Sequence, residues 1–226
     1  IMLSQPFLGR KHMINQLFWD FDGTLFNTYP MMVAAFSHAL REMDIDEVEI
    51  DARDIYVTMR QHDVGTAIRK AAAFYGIDEA TLRTLNKRYQ VEAVTTAQPF
   101  SGVKDVLALA VNQGGANYLL THRDDQAKQL LTKFDLLDFF SDFVTSNQKF
   151  PRKPNPASIN WLIDHNHVER KKAIMIGDRK LDVQAGNNAN VASCLFDPDG
   201  IIVETGHPDI KVTEISDLIP WLTKRD

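Results

Sequence analysis

The chain has 226 residues, of which 44% are hydrophobic, and a formal net charge of −5. This is enough for a buried core, either one large domain or a core with a smaller unit. Basic residues are scattered and no apolar stretch is long enough to cross a bilayer, which argues against nucleic acid and membrane as partners. Cys194 is the only cysteine, so no internal disulfide is possible. Because the amino terminus also lacks a signal-peptide core, we expect a cytoplasmic protein.

Two carboxylates follow the first apolar run of the chain. Residues 17–28 read LFWDFDGTLFNT, and so short an aromatic-rich run predicts a buried strand. Asp20 and Asp22 would leave the carboxyl end of this strand into one small space. Placing two such charges close together raises the free energy unless a cation lies between them or one carboxyl keeps its proton. The pattern therefore indicates a catalytic metal site. The alternative is a solvated turn, since Asp-Gly is a common turn pair.

Residues 28–97 have a helical period and no strand signal. Apolar residues spaced three and four apart predict helices over 30–43, 51–59, 64–75 and 78–96. Pro30 suits the first turn of the first helix, and Asp78 suits the N-cap of the last. This block is therefore predicted to be a separate all-helical unit.

From residue 98 onwards, short apolar runs alternate with helical segments. Strands are predicted over 116–120, 143–145, 173–176 and 191–195. Helices are predicted over 103–111, 125–134, 156–165, 181–187 and 215–222. The alternation predicts an α/β fold with a Rossmann-like parallel sheet covered on both faces. Ligands bind such sheets beyond the carboxyl ends of the strands, where Asp20, Asp22, Thr121 and Asp178 would lie.

Four motifs occur in a characteristic order: DFDGT at 20–24, Thr121 after a strand, Lys153-Pro154, and GDRKLD at 177–182. From about residue 14 to 222, the chain resembles the haloacid dehalogenase (HAD) superfamily of phosphotransferases. The helical block resembles the small cap of the phosphoglycolate phosphatase and beta-phosphoglucomutase branch. The domains implied by this resemblance are a HAD-like core of residues 13–27 and 98–226 and a helical cap of residues 28–97. Residues 1–12 are expected to form an unstructured extension.

The resemblance implies hydrolysis of a small phosphorylated metabolite through an aspartyl-phosphate intermediate. Asp20 would be the nucleophile, and Asp22 would protonate the leaving oxygen and then take a proton from water. Mg²⁺ would be held by Asp20, Asp178 and the backbone carbonyl of Asp22, with Asp182 supporting the site. Hard oxygen ligands together with a substrate phosphate suit this ion.

Polar groups around the predicted strand ends would hold the phosphate. Thr121 offers a hydroxyl, and Lys153 supplies a compact positive charge that offsets phosphate and aspartate together. Backbone amides around Gly23 and Thr24 could complete the phosphate cradle.

Four further residues are candidates for lining the substrate pocket. Arg60 and His62 lie between two predicted cap helices, where a loop could reach the substrate; a solvated loop is the alternative. His122 and Arg123 follow Thr121 and would line the entrance. Relatives often carry a small or amide residue at position 122, so His122 leaves the substrate open.

Three functions are compatible with the motifs. Asp22 argues against dehalogenation and phosphonate cleavage, because relatives with those activities lack the second aspartate. A phosphatase and a beta-phosphoglucomutase-like phosphomutase both require it, and Gly23-Thr24-Leu25 looks more phosphatase-like. A binding module that keeps the fold without turnover is the third alternative. We expect a phosphoric monoester hydrolase, and neither its substrate nor its oligomeric state follows from the sequence.

Overall fold

A six-stranded parallel sheet forms the centre of the molecule. The computed structural model describes residues 13–223, so the predicted extension at 1–12 lies outside the described residues. The strands are β1 (Gln16–Trp19), β2 (Ala116–Leu120), β3 (Phe140–Val144), β4 (Ala173–Gly177), β5 (Ala192–Phe196) and β6 (Ile210–Val212). Their order is β3-β2-β1-β4-β5-β6, and every neighbouring pair is parallel. The predicted α/β fold is confirmed.

Both faces of the central strand β1 are buried, as the alternation of side chains along a strand requires. Leu17 and Trp19 belong to a hydrophobic cluster that includes Leu107, while Phe18 belongs to a second cluster that includes Leu162. None of these five side chains is exposed. The sheet is therefore covered on both sides, which fixes the direction in which β1 delivers the residues that follow it.

Helices account for most of the remaining chain. They are α1 (Tyr29–Arg41), α2 (Ala52–Gln61), α3 (Val64–Tyr75), α4 (Glu79–Ala93), α5 (Val103–Asn112), α6 (Gln126–Lys133), α7 (Ala157–His165), α8 (Lys180–Asn188) and α9 (Leu218–Thr223). Within residues 13–223, no helix combines the length and apolar composition needed to cross a membrane.

The block between residues 28 and 97 contains helices α1 to α4 and short 3₁₀ turns, and no strand. Aspartates begin three of its helices: Asp51, Asp63 and Asp78 each accept a hydrogen bond from a backbone N–H three residues later. Such caps satisfy donors that a helix leaves unpaired. The N-cap predicted at Asp78 is confirmed, and Pro30 lies in the first turn of α1 as expected.

Two chain segments join this helical block to the rest of the molecule, and they run side by side. The Asn27 amide donates to the Gln98 carbonyl at 2.9 Å, and the Phe100 amide donates to the Leu25 carbonyl at 3.0 Å. These segments lie at the boundaries predicted for the helical cap, between residues 27 and 28 and between residues 97 and 98. The division into a core and a moving cap stays a prediction.

Candidate active site

Neighbouring strands deliver the predicted site residues to one edge of the sheet. β1 ends directly before Asp20, β2 directly before Thr121, and β4 directly before Asp178. Because β1 pairs with both β2 and β4, the carboxyl ends of these strands lie next to one another. All three side chains are buried. The sheet therefore brings together residues that lie far apart in the sequence.

Three buried carboxylates form a tight cluster at this edge. Oxygen atoms of Asp20, Asp178 and Asp182 all lie within 4.8 Å of one another. Burial is the main cause that raises the pKa of Asp20 to about 7 and the pKa of Asp178 to about 6. Within the described chain, Asp20 Oδ2, Asp178 Oδ1 and Asp182 Oδ1 are buried and have no hydrogen-bond partner. Unpaired buried carboxylate oxygens are what a hard divalent cation would use, so these residues fit a metal.

Lys153 supplies a positive charge inside the cluster. Its Nζ atom contacts Asp20 Oδ1, lies 2.5 Å from Asp182 Oδ1 and donates to the Leu120 carbonyl at 3.3 Å. Burial acts to lower the pKa of Lys153, but Asp182 and Asp20 together raise it above its ordinary value. The lysine therefore stays charged between two carboxylates.

Asp182, expected to support the site, lies within the cluster and contacts both Lys153 and the start of α8. Its Oδ2 accepts from the Arg179 amide at 3.2 Å, which caps α8, while its Oδ1 faces Lys153. Gly177 makes room for this carboxylate, since a Cβ atom there would lie 2.4 Å from the Asp182 carboxyl carbon. Asp182 Oδ1 is thus paired with Lys153, whereas Asp20 Oδ2 and Asp178 Oδ1 have no hydrogen-bond partner among the described residues.

The second oxygen of Asp178 is held from the helical block. The Tyr29 hydroxyl donates to Asp178 Oδ2 at 2.9 Å, and Arg60 Nη1 donates to the same atom at 3.1 Å. Arg60 also donates to Asp197 Oδ1 at 3.4 Å, and only 1% of its side chain is exposed. These contacts occupy Asp178 Oδ2, while Asp178 Oδ1 lies 3.8 Å from Arg179 Nε.

The expectation that Arg60 lies in a loop is wrong. It belongs to the last turn of α2, which ends at Gln61, two residues beyond the predicted end. His62 follows as the C-cap, and its carbonyl accepts from Arg179 Nη1 at 3.3 Å. The helix continues because Arg60 is buried against carboxylates and the Tyr29 ring, 5.2 Å away, rather than solvated.

Asp22 points away from the acidic cluster and pairs with Arg123. Arg123 Nη2 donates to Asp22 Oδ1 at 2.7 Å, and Nε lies 3.2 Å from both carboxylate oxygens. The carboxylate is partly exposed. Its position between the buried cluster and the cleft suits a group that exchanges protons with substrate and water. Arg123, expected only to line the entrance, holds this carboxylate in place.

Thr121 and His122 line the same side of the site. The Thr121 hydroxyl accepts from the Arg123 amide at 3.0 Å, which fixes the turn after β2. Burial, together with the nearby charge of Lys153, lowers the pKa of His122 to about 3. His122 therefore presents a neutral imidazole at neutral pH.

The loop after β1 packs tightly at Gly23. This residue has φ = 76°, and a Cβ atom there would lie 2.3 Å from the Tyr29 ring and 2.6 Å from Asp178 Oδ2. The backbone can approach Asp178 this closely because glycine has no side chain. The expectation that the Gly23 and Thr24 amides cradle a phosphate is wrong, because both donate within the loop, to the carbonyls of Phe26 and Phe21.

Two residues at the site were missed by the sequence analysis. Asp197 follows β5 just as Asp178 follows β4, so a carboxylate directly after a buried strand was an available signal. Tyr29 had no such signal, since its contact with Asp178 joins residues 149 positions apart.

A cleft of about 710 Å³ lies over the strand ends, between the helical block and the sheet. Asp22, Tyr29, His122 and Arg123 line its floor, and residues of α3 and α4 line the opposite wall. The partly exposed Asp22 therefore borders a space that can hold a small molecule.

Comparison with known proteins identifies the family of the chain. The profile of the haloacid dehalogenase-like hydrolase family matches residues 17–196, most of the chain. The chain belongs to this family, and its similarities lie with the phosphoglycolate phosphatase-like branch, as the motifs predicted.

Individual relatives match over nearly their full length. A phosphoglycolate phosphatase of Aliivibrio fischeri is 25% identical over 222 residues, covering 93% of this chain and 97% of the relative. The pyrophosphatase PpaX of Bacillus cereus is 24% identical over 214 residues, with the same two coverages. A crystal structure from Haemophilus somnus, described as a predicted phosphoglycolate phosphatase, superposes with a TM-score of 0.77 at 18% identity. It covers 95% of this chain and 99% of its own, which shows the shared fold.

Proposed function

We propose that the protein is a Mg²⁺-dependent phosphoric monoester hydrolase that acts on a small phosphorylated metabolite through an aspartyl-phosphate at Asp20. The observation that supports this most is the buried cluster of Asp20, Asp178 and Asp182 beside the charged Lys153, in which Asp20 Oδ2 and Asp178 Oδ1 have no hydrogen-bond partner. Phosphoryl transfer needs a nucleophile and a cation that neutralises charge on the phosphoryl group. Here a carboxylate oxygen is available as the nucleophile next to a site that could bind a cation. The phosphatase and pyrophosphatase relatives support the reaction class.

Asp20 and Asp178, with the backbone carbonyl of Asp22, would hold the Mg²⁺ ion. When bound, this ion would neutralise negative charge on the transferring phosphoryl group and on the carboxylates. Lys153 contributes to the same neutralisation from the other side of Asp20. Thr121, at the end of β2, would donate its hydroxyl to a phosphate oxygen.

The two carboxylates after β1 would divide the chemistry. An Asp20 oxygen attacks phosphorus as the bond to the leaving oxygen breaks, and Asp22 gives that oxygen a proton. Asp22 then removes a proton from water, which attacks phosphorus and releases inorganic phosphate and free Asp20. Such proton transfer contributes roughly 100- to 10,000-fold in rate. Arg123 would position Asp22 for both steps.

The helical block would act as a cap on the core. In this proposal, residues 28–97 close over the core formed by residues 13–27 and 98–226 and exclude water from the reacting phosphate. Arg60 and Tyr29 would then serve as cap residues that orient Asp178, since both contact its Oδ2. Action in the cytoplasm stays a prediction.

The test is phosphate release by the purified protein from a panel of phosphate esters, measured with Mg²⁺ and with EDTA. We expect release that requires the metal from at least one ester, and none from the Asp20→Asn variant. A matched control is Asp138→Asn, which changes an aspartate on the surface turn before β3. Activity in EDTA, or an Asp20→Asn variant as active as the control, would overturn the proposal.

A further inference from the structure

The cleft over the active site is basic although the whole chain is acidic. The chain has 30 acidic and 25 basic residues. In the described structure, six basic side chains line the cleft: Arg69, Arg83, Lys87, Arg123, Arg152 and Arg179. Three carboxylates line it as well, so positive charge is in excess there. A cleft lined by one sign of charge concentrates ligands of the opposite sign.

Five of these six basic residues, all but Arg152, form two groups. Arg123 and Arg179 belong to the floor, where they contact Asp22 and Asp178 respectively. The other group, which we call the cap triad, consists of Arg69 on α3 with Arg83 and Lys87 on α4. No step of the proposed hydrolysis uses the cap triad, because the reacting phosphate would lie at the strand ends.

Two members of the cap triad converge on one small volume above Gly65. A Cβ atom built on Gly65 would lie 3.5 Å from Arg69 Nη1 and 3.8 Å from Arg83 Nη1. The other terminal nitrogens are anchored, Arg69 Nη2 on Thr66 Oγ1 at 2.9 Å and Arg83 Nη2 on Glu79 at 2.5 Å. The two Nη1 atoms therefore lie near the same space.

One carboxylate of the cleft, Asp63, borders this volume. Asp63 Oδ1 would lie 3.1 Å from the Gly65 Cβ position, but it already accepts from the Thr66 amide at 2.6 Å as the cap of α3. Two guanidinium groups therefore border the space together with Asp63, and Arg83 is also paired with Glu79 through its other terminal nitrogen. Lys87, one turn beyond Arg83 on α4, adds a third positive charge to the same wall.

We propose that the cap triad binds a second phosphate group of the substrate, so that the substrate is a small molecule with two separate phosphates. This rests on the proposed function, since the first phosphate would be the one transferred to Asp20. A phosphate offers several oxygens and about two negative charges to two arginines and a lysine, whereas a carboxylate offers two oxygens and one charge. The cleft volume of about 710 Å³ leaves room for an organic group between the phosphates.

The experiment compares matched pairs of substrates. Fructose 1,6-bisphosphate is measured against fructose 6-phosphate, and ribulose 1,5-bisphosphate against ribulose 5-phosphate. 2-Phosphoglycolate serves as the comparison substrate that carries a carboxylate in place of a second phosphate. We expect at least one bisphosphate to exceed its monophosphate and 2-phosphoglycolate in kcat/KM by about tenfold or more.

Variants then test the cap triad directly. In Arg69→Gln/Arg83→Gln, the preference for the bisphosphate over its monophosphate should fall by about 10- to 100-fold, mainly through KM. Lys70→Gln is the matched control, because Lys70 lies on α3 beside Arg69 but pairs with Asp54 outside the cleft. Its preference should match that of the wild type, and circular dichroism of each variant checks the fold.

The outcomes separate the two proposals. Hydrolysis of monophosphates with no bisphosphate preference, or a preference that survives Arg69→Gln/Arg83→Gln, overturns the second-phosphate site and leaves the phosphatase intact. A preference for 2-phosphoglycolate that depends on the cap triad also overturns it, in favour of a carboxylate. No metal-dependent release from any ester overturns both.

Discussion

Replacing Lys153 by methionine tests the electrostatics of the site without any substrate. The lysine is 2% exposed and lies between Asp20, which is 5% exposed, and Asp182, which is fully buried. Methionine keeps the length of the side chain but leaves two buried carboxylates without their cation. Breaking a buried ion pair by removing one partner costs about 3–5 kcal/mol, so Lys153→Met should lower the free energy of unfolding by that amount.

Urea denaturation in EDTA measures this loss directly. A thermal melt gives a second measure of the same loss. For a chain of this size, a loss of 1 kcal/mol lowers the melting temperature by about 2–4 °C, so Lys153→Met should lower it by roughly 6–20 °C. Lys128→Met is the control, since Lys128 is exposed and lies 3.6 Å from Asp125; its effect should stay within about 0.5 kcal/mol.

A double variant identifies the cause of the loss. Lys153→Met/Asp182→Asn should be more stable than Lys153→Met alone, because the buried carboxylate of Asp182 that lost its ion pair is removed together with the lysine. A loss below about 1 kcal/mol for Lys153→Met, or a double variant no more stable than the single one, would refute the reasoning.

Three further predictions concern other parts of the structure. Asn117→Ala should lower the free energy of unfolding by about 2–4 kcal/mol. The buried side-chain amide accepts a hydrogen bond from Trp19 Nε1 at 3.0 Å and donates to two backbone carbonyls, and all of these bonds would be lost. A loss under 1 kcal/mol in urea denaturation would contradict this. Tyr29→Phe should weaken Mg²⁺ binding by about tenfold in calorimetry, because Asp178 loses an orienting hydrogen bond, and unchanged affinity would count against that role. Burial raises the pKa of the Cys194 thiol, so a thiol reagent should leave it unmodified in the native protein and react only in urea; rapid native labelling would contradict the structure.

The fold was predictable because its signals are local. Each strand that carries a site residue is a short apolar run buried on both faces, and β1 and β4 end directly before Asp20 and Asp178. Strand β6 was missed because it has only three residues, at the edge of the sheet, and Lys211 interrupts its apolar pattern.

The contacts within the site were less predictable because they join distant parts of the chain. Arg60 and Asp178 are 118 residues apart, and no local pattern records that a cap arginine is buried against a core carboxylate. The pairing of Asp22 with Arg123 spans 101 residues in the same way. The use of the Gly23 amide within its own turn depends on loop geometry that the DFDGT motif does not specify.

The central claim is that Asp20 carries the phosphoryl group during turnover. Protein turning over its best ester in Mg²⁺ is quenched in acid and treated with borohydride, which reduces an aspartyl-phosphate to homoserine. Mass spectrometry of the peptide containing residues 17–28 then shows whether position 20 holds aspartate or homoserine. We predict homoserine at position 20 with Mg²⁺, and none with EDTA. Phosphate release with Asp20 unmodified throughout, or with the modification at Asp22 instead, would contradict the account.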